Sequence, residues 1–506
     1  MAFQLEVAVL VDKPVYEPGE PAQLLVAARS DASTELSLEV TSYKGVVAEL
    51  SIALREGEVA TKALEVEVPR IPGNYEFSVR YEGKLLDSVQ FIVAPFCEVP
   101  VDRYLAFVYH HHQAPNYLPD GTYYYLWAFL HTWSDELAPY GKGAYHYHAL
   151  ILEKHRDYKC TYNLSPSLIA QWDSAIRYGV RYKGGFVPPS SSEVELVKEA
   201  LSIYTNAARR GQIDVLTSMY AHSIAGYLID YMGMEDVVRE ELEYGAEVTR
   251  KILGVEPLGV WTPEMAFTMK LVEIYADLGF KYTVLDAKCH LKNSKGEVGD
   301  ELEPYLVRGS KGELVVFFRN TELSNYMSFK NSFETPFMAW KKAYEFTYLI
   351  ARRLVQGGVL TIALDGENWM IFSKNPPLTA VFYEKLVEYV EKLQRSNYLK
   401  TATLRELVSK LHARRVLTWV PTTSWLCRFS KWNGEKAEHA EYWARARRVY
   451  EKIKAYEASR GMDERSKRAR WAFWHAIDSD YWWAEFWEPT LISLWLEQAE
   501  KALEQK

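Results

Sequence analysis

The chain has 506 residues, 48% of them hydrophobic and 25% charged, with a formal net charge of −8. That length suits two or three domains, and that composition excludes a largely disordered chain. The acidic balance argues against a dedicated nucleic-acid or anionic-membrane binder, and the absence of about 18 consecutive apolar residues predicts no membrane span.

Residues 1 to 95 read as all-β. Apolar alternation recurs at Leu5–Leu10, Gln23–Val26, Leu36–Val40, Leu64–Val68, Tyr75–Val79 and Ser88–Val93, with turn signals at Pro18-Gly19 and Pro72-Gly73-Asn74. This spacing predicts a β-sandwich. The stretch Lys13–Pro21 resembles the opening of immunoglobulin-like modules, whose expected role here is stabilising or spacing. The first residues, Met1–Glu6, show neither a basic n-region nor an apolar h-region. The expectation is a soluble cytoplasmic protein, or a secreted one if a leader has been removed.

From residue 96 to 400 the rhythm changes. Apolar runs at 105–109, 150–152, 213–216, 259–261, 282–285, 314–318 and 360–364 alternate with helical patterns at 197–210, 235–253, 268–278 and 335–356. Seven candidate strands in such alternation predict an α/β domain, a (β/α)7 incomplete TIM-type barrel, with an open doubly wound sheet as competitor. From 401 to 506 strand patterns disappear. Leu404–His412, Glu435–Tyr456, Asp463–Ile477 and Pro489–Glu504 predict an α-helical bundle. Cys97, Cys160, Cys289 and Cys427 lack any C-x-x-C spacing, which predicts neither a disulfide scaffold nor a thiolate zinc site.

Reactive side chains follow three of the predicted strands: Tyr109-His110-His111-His112-Gln113, Trp261-Thr262-Pro263-Glu264 and Asp365-Gly366-Glu367-Asn368-Trp369. Parallel-sheet enzymes place catalytic groups at such strand ends. Strand alternation sends His110 and His112 to one face and His111 to the other, so only two imidazoles converge locally and a metal site is not the favoured reading. Glu264 and Asp365 offer the two carboxyl groups that acetal cleavage at a sugar requires, one ionised and one protonated. With 16 Trp, 35 Tyr and 20 Phe, the chain also has aromatic rings to spare for the C–H faces of sugars. Glu367 and Asn368 read either as support for the site or as a helix start. Asp286 and His290 read as core or cap, Trp471, Trp474 and Trp487 as bundle core, and residues 463–468 as a solvated helix face.

These segments resemble, in order and spacing, those of family 57 glycoside hydrolases. His110–Gln113 is similar to that family's first motif. Gly211–Asp214 with Tyr220–His222 resembles the second, Trp261–Glu264 the nucleophile motif, Asp365–Asn368 the acid/base motif and Ser479–Trp483 the last. The blocks at 162–168, 318–324 and 424–435 also resemble the family, and the amylopullulanase branch most. The resemblance implies a retaining α-glucan hydrolase acting on α-1,4 and in some members α-1,6 bonds, with Glu264 as nucleophile and Asp365 as general acid/base. It implies that His110, His112 and His222 hold sugar hydroxyls, that Trp261, Trp425 and Trp482 wall the site, and that Asp480 reaches in from the helical region. No metal and no cofactor is required for that chemistry, a structural calcium being left open. The expected partner is an α-glucan such as starch, glycogen or pullulan, with no nucleic acid and no membrane; no residue pattern speaks to oligomeric state. Ala114 replaces a common proline of the first motif, and Asp214 a usual glutamate of the second. The alternatives are a 4-α-glucanotransferase or branching enzyme with the same residues, a metal-dependent polysaccharide deacetylase, and a non-catalytic carbohydrate-binding protein.

Overall fold

The computed structural model of the chain describes residues 4–98 and 100–504. Met1–Phe3, on which the leaderless reading partly rests, and the last two residues of the expected bundle lie outside the described residues. The chain is a multidomain α/β protein with a helical C-terminal region, divided into two compact units built from discontinuous segments.

One unit comprises Met1–Leu105, Asn331–Leu360 and Phe372–Thr401. Its strands form two sheets. Leu5–Val11, Pro21–Ser30 and Val59–Glu67 pair antiparallel in that order. The second sheet has the order Val15–Tyr16, Lys84–Val93, Gly73–Tyr81, Thr34–Ser42, Gly45–Leu54. Alternate residues such as Val9, Val26, Leu38, Phe77 and Phe91 are buried, each worth about 1.5–3 kcal/mol of transfer free energy. Gly45–Leu54 escaped the sequence reading because an edge strand that buries only Ile52 and Leu54 carries almost no apolar alternation. The helices Pro336–Arg353 and Pro376–Arg395 belong to this unit, so the expected linear boundaries at 95 and 400 are not where the units divide. The reason is local: Lys341 Nζ donates to the Val9 carbonyl at 2.8 Å and pairs with Asp87 at 2.9 Å, and Tyr344 donates to the Gln90 carbonyl at 2.6 Å.

The other unit comprises Ala106–Lys330, Thr361–Ile371 and Ala402–Lys506. It holds the C-terminal ends of seven strands: β1 (Arg103–His111), β2 (Cys160–Leu164), β3 (Ile213–Leu216), β4 (Gly259–Val260), β5 (Tyr282–Asp286), β6 (Glu313–Arg319) and β7 (Gly358–Asp365). β1 to β3 pair parallel in succession, a parallel bridge from Thr217 to Val260 continues to β4, and β4, β5, β6 and β7 follow, again parallel. β7 is in turn the neighbour of β1, so the succession returns to its first strand. All of these C-terminal ends open on one side, where the loops carrying reactive groups collect.

A hairpin strand, Tyr305–Arg308, pairs antiparallel with β6 and parallel with Arg415–Trp419. The latter corrects the expectation that strands end at about residue 400; five residues with one fully buried side chain, Leu417, leave too short a pattern to read. Helices Leu404–Lys410, His439–Arg460, Glu464–Ala476 and Pro489–Glu504 follow, burying Trp443, Phe473, Leu491 and Trp495. Cys289 and Cys427, 138 residues apart, form a disulfide with a Cα–Cα distance of 4.8 Å, which corrects the cysteine reading. No local spacing can announce a bridge made only by the fold. Among the described residues no helix is long and apolar enough to cross a membrane.

Candidate active site

The end of β1 sets the first layer. His110, His111 and His112 are all buried, and the strand alternates them. His110 and His112 stack nearly parallel with centroids 5.8 Å apart. His110 lies in register with Asn163 of β2, whose amide oxygen receives the Nδ1–H at 2.8 Å. The same amide donates to the Leu216 carbonyl, which fixes its orientation and leaves His110 Nε2 as the free acceptor. Burial, with the His112 charge adding, pushes the His110 imidazole down to about 3, so it is neutral. Trp261 lies flat against it at 4.6 Å and 12°.

His112 carries charge instead. Its Nδ1 meets Ser165 Oγ at 2.8 Å, while Nε2 faces Asp480 at 3.4 Å and Asp478 at 3.7 Å. Burial alone would lower its pKa, but the two carboxylates carry it up to about 10. His222 stacks on His112 with centroids 3.9 Å apart, and its Nδ1 meets Ser479 Oγ at 2.8 Å. Burial and the His112 charge hold it well below the usual imidazole range, and among the described residues its Nε2 has no hydrogen-bond partner.

Glu264 follows β4 in a short helical turn, Pro263–Met265, with a left-handed backbone at φ 56°. His222, Met265 and Cys427 share that region, so four of the six such non-glycine residues among those described lie in the loops around these side chains. Strain of this kind costs about 1–3 kcal/mol per residue and persists only where packing over-determines the conformation. Trp425 supplies that packing: its indole N–H donates to Glu264 Oε2 at 2.9 Å and its backbone N–H to the Glu264 carbonyl at 3.1 Å. Ser479 reaches the other carboxyl oxygen at 3.4 Å.

Asp365 ends β7 with its side chain open to solvent, and Asn368 Nδ2 donates to its Oδ2 at 3.0 Å. Though a water can reach it, it lies deep among cleft walls. That enclosure, with the Asp480 charge adding, raises its carboxyl above the usual range. Enclosure first, and the Asp365 charge second, push Glu264 up to about 8. The Asp365 charge thus reaches Glu264, and both carboxyls sit above their usual range. Asp480, 41% exposed, is held below the usual range by His112 against the effect of burial.

A chain with these strand ends matches the model of glycosyl hydrolase family 57 over residues 106–423, more than half its length. It belongs to glycosyl hydrolase family 57. A "Putative alpha-amylase" of Methanocaldococcus jannaschii is 22% identical over 294 residues, 56% of this chain and 57% of that protein. A 1,4-alpha-glucan branching enzyme of Thermococcus kodakarensis is 24% identical over 214 residues, 37% of this chain and 29% of that protein. The matches thus span less than two thirds of either relative. Among solved structures, the alpha-amylase AmyC of Thermotoga maritima superposes with a TM-score of 0.58 at 12% identity, covering 80% of this chain and 93% of that one. A branching enzyme of Pyrococcus horikoshii gives 0.57 at 16% identity, covering 79% and 87%. At such identities the likeness is one of fold.

In this family 57 chain, one residue expected to wall the candidate site lies elsewhere. Trp482 is fully buried in the helical region, stacked on Trp443 at 3.7 Å with its N–H on the Ala476 carbonyl, so it cannot wall the cleft. Its neighbour Trp483 takes the position facing Trp425, the two rings parallel within 5° at 6.2 Å, with Phe329 on a further parallel plane 6.3 Å from Trp425. Alternation along the four-residue helix Ser479–Trp482, which ends there, is too short to tell the two tryptophans apart. Asp214 stands at the opposite, N-terminal end of its strand, bound by Tyr282 at 2.6 Å and Arg405 at 3.0 Å, away from the histidines' end. Asp286 and His290 are buried in a structural cluster with Arg319 and Thr423. Ser165, Asn163, Asp478 and Ser479 hold the histidines, roles that no local pattern marks.

His112, His222 and Asp480 bring potential ligand atoms within 4.8 Å of one another. The two imidazoles are stacked within 18°, and the charged His112 offers an N–H where the neutral His222 offers a lone pair, so a donor and an acceptor run side by side. A tetrahedral ion needs converging lone pairs; adjacent hydroxyls of a sugar need donors and acceptors in a row.

Proposed function

We propose that this chain is a retaining α-glucan hydrolase of the amylopullulanase or α-amylase type, in which Glu264 attacks the anomeric carbon and Asp365 protonates the leaving oxygen and then activates water. The observation that carries this reading is that the charges of Asp365 and His112 both reach Glu264 in one histidine-lined cleft of a family 57 chain. Glu264 must be bare when Asp365 carries the proton, and Trp425 and Ser479 both stabilise the bare form. His110, His112 and His222 would receive or donate to the hydroxyls of the sugar at the cleavage point, Trp261 backing His110, while Trp425 offers its ring face beyond. Asp480 would hold His112 in its charged form. The chemistry needs no metal or cofactor. The N-terminal strands are proposed as an immunoglobulin-like β-sandwich, and β1 to β7 as an incomplete (β/α)7 barrel; the return of the strand pairing to β1 supports the latter.

The parallel faces of Phe329, Trp425 and Trp483 favour a second reading, a 4-α-glucanotransferase or branching enzyme in which those rings hold an acceptor chain. Incubation with amylose, pullulan and maltooligosaccharides in parallel separates the two. New reducing ends with retained anomeric configuration are expected; longer or branched products would select transfer. Glu264→Gln and Asp365→Asn, folded as judged by circular dichroism, should each abolish turnover, and wild-type rates in either would end the assignment.

A further inference from the structure

The turn that follows β7 is pinned to β1 twice. The Gly366 N–H donates to the His110 carbonyl at 2.6 Å, and a side chain at 366 would lie 2.3 Å from the His111 ring. One residue on, Glu367 Oε2 meets His111 Nδ1 at 3.1 Å. His111 Nε2 meets Tyr204 Oη at 3.2 Å, and Tyr204 donates to the Tyr145 carbonyl at 2.8 Å. The tyrosine proton is thus committed, so Tyr204 must accept from Nε2–H. If the ring is neutral, His111 Nδ1 is then an acceptor, and only a carboxyl proton can fill the contact with Glu367. Glu367 also begins the helix Asn368–Ile371, its carbonyl accepting from Met370 at 2.9 Å, and Asn368 is the residue that grips Asp365.

We propose that Glu367 is a positioning residue that works as a neutral acid: its carboxyl proton, donated to His111 Nδ1, fixes the turn presenting Asp365 and Asn368 without adding a second negative charge beside Asp365. This rests on Asp365 being the acid/base of the proposed reaction. The groups facing the pair are Asp365 at the end of the preceding strand, His110, His112 and the buried His148, Tyr145, Tyr162 and Tyr204, and Asp480. Burial and the Asp365 charge raise Glu367 well above the carboxylate range; burial first, and the crowding of His148 and His110 second, hold His111 well below the imidazole range. Both shifts favour the uncharged pair over an ion pair.

The test compares Glu367→Gln, Glu367→Ala and Asp365→Asn with wild type on a maltooligosaccharide, and records nitrogen-15 NMR of the histidine rings, with His111 assigned by its loss in His111→Asn. Glutamine can donate to Nδ1 as the neutral acid does, so Glu367→Gln should keep kcat within about threefold and the shape of the pH profile. Glu367→Ala should lower kcat by about 100-fold with KM little changed, as for a misplaced catalytic group. His111 should show the Nε2–H tautomer with an unprotonated Nδ1. A doubly protonated His111, or a glutamine variant as impaired as alanine, would overturn the proposal. If wild type has no activity on any α-glucan, the functional reading fails instead, and the NMR signature still decides the protonation of the pair.

Discussion

Trp425→Phe isolates one hydrogen bond at the reacting pair. The substitution keeps a ring face toward Trp483 and removes the N–H that lies 2.9 Å from Glu264 Oε2. A hydrogen bond to a charged group contributes about 1.5–3 kcal/mol. Partial solvent access to this half-buried pair favours the low end, about 1.4 kcal/mol, or one pKa unit. Since the bond stabilises the ionised form, its loss raises the Glu264 pKa, already at about 8. A single proton on the two acids then rests more often on Glu264, and the productive arrangement, bare Glu264 with protonated Asp365, becomes about tenfold rarer. In a profile of kcat/KM against pH the maximum should fall about tenfold and the basic limb move up by about one unit. At still higher pH Glu264 is ionised in both proteins, so the two profiles should converge. A uniform offset at every pH would refute this reasoning and leave Trp425 as a sugar platform alone.

Three further outcomes follow from the same geometry. Glu264 is raised from 4.5 to about 8, so the folded protein holds this proton while the unfolded chain loses it, and stability drains away as pH rises through that window. Glu264→Gln should therefore melt at the same temperature as wild type near pH 4 and above it at pH 8; a difference independent of pH would contradict the assigned shift. Trp482→Ala should cost about 3–5 kcal/mol in denaturant unfolding, since its ring is fully buried against Trp443, whereas Trp483→Ala should leave the midpoint nearly unchanged and raise KM for long glucans. The reverse pattern would return Trp482 to the cleft. Cys427→Ser opens a bridge spanning 138 residues and should cost about 2–5 kcal/mol, with a reductant lowering the melting temperature of wild type and not of the variant. Equal sensitivity of both to reductant would mean that the bridge does not form.

Much of the site was legible because its chemistry sits at strand ends. An apolar run that stops on Asp365, or a few residues before Glu264, announces both the strand and the group that follows it, and the two-residue period of β1 separates His110 and His112 from His111. What stayed hidden depends on partners distant in the chain. Asn163 and Ser165 matter only because β2 lies in register with β1, and the disulfide only because two loops meet. Trp482 and Trp483 are adjacent, so composition favours neither, and packing against Trp443 decides. The helices at 336–353 and 376–395 follow the barrel-like alternation in sequence yet group with the N-terminal strands, because Lys341 and Tyr344 find acceptors there.

The helical region does more than close the chain, since it sets the charge of the cleft. Of the two acids, Glu264 is the more enclosed and is raised to about 8, which under the proposed roles is a bias toward the unproductive arrangement. His112 is the cationic group that both feel, and its charge survives burial only because Asp478 and Asp480 face its Nε2. Ser479, between those two aspartates, holds His222 and touches Glu264. One short turn, Asp478-Ser479-Asp480, thus keeps one imidazole charged, orients the neutral one stacked upon it and supports the bare form of Glu264. An imidazolium at that distance favours ionised carboxyls on both acids, while Trp425 and Ser479 act on Glu264 alone. Those two hydrogen bonds therefore oppose the bias toward a protonated Glu264, while Asn368 favours the ionised form of Asp365 and the imidazolium favours the ionised form of both.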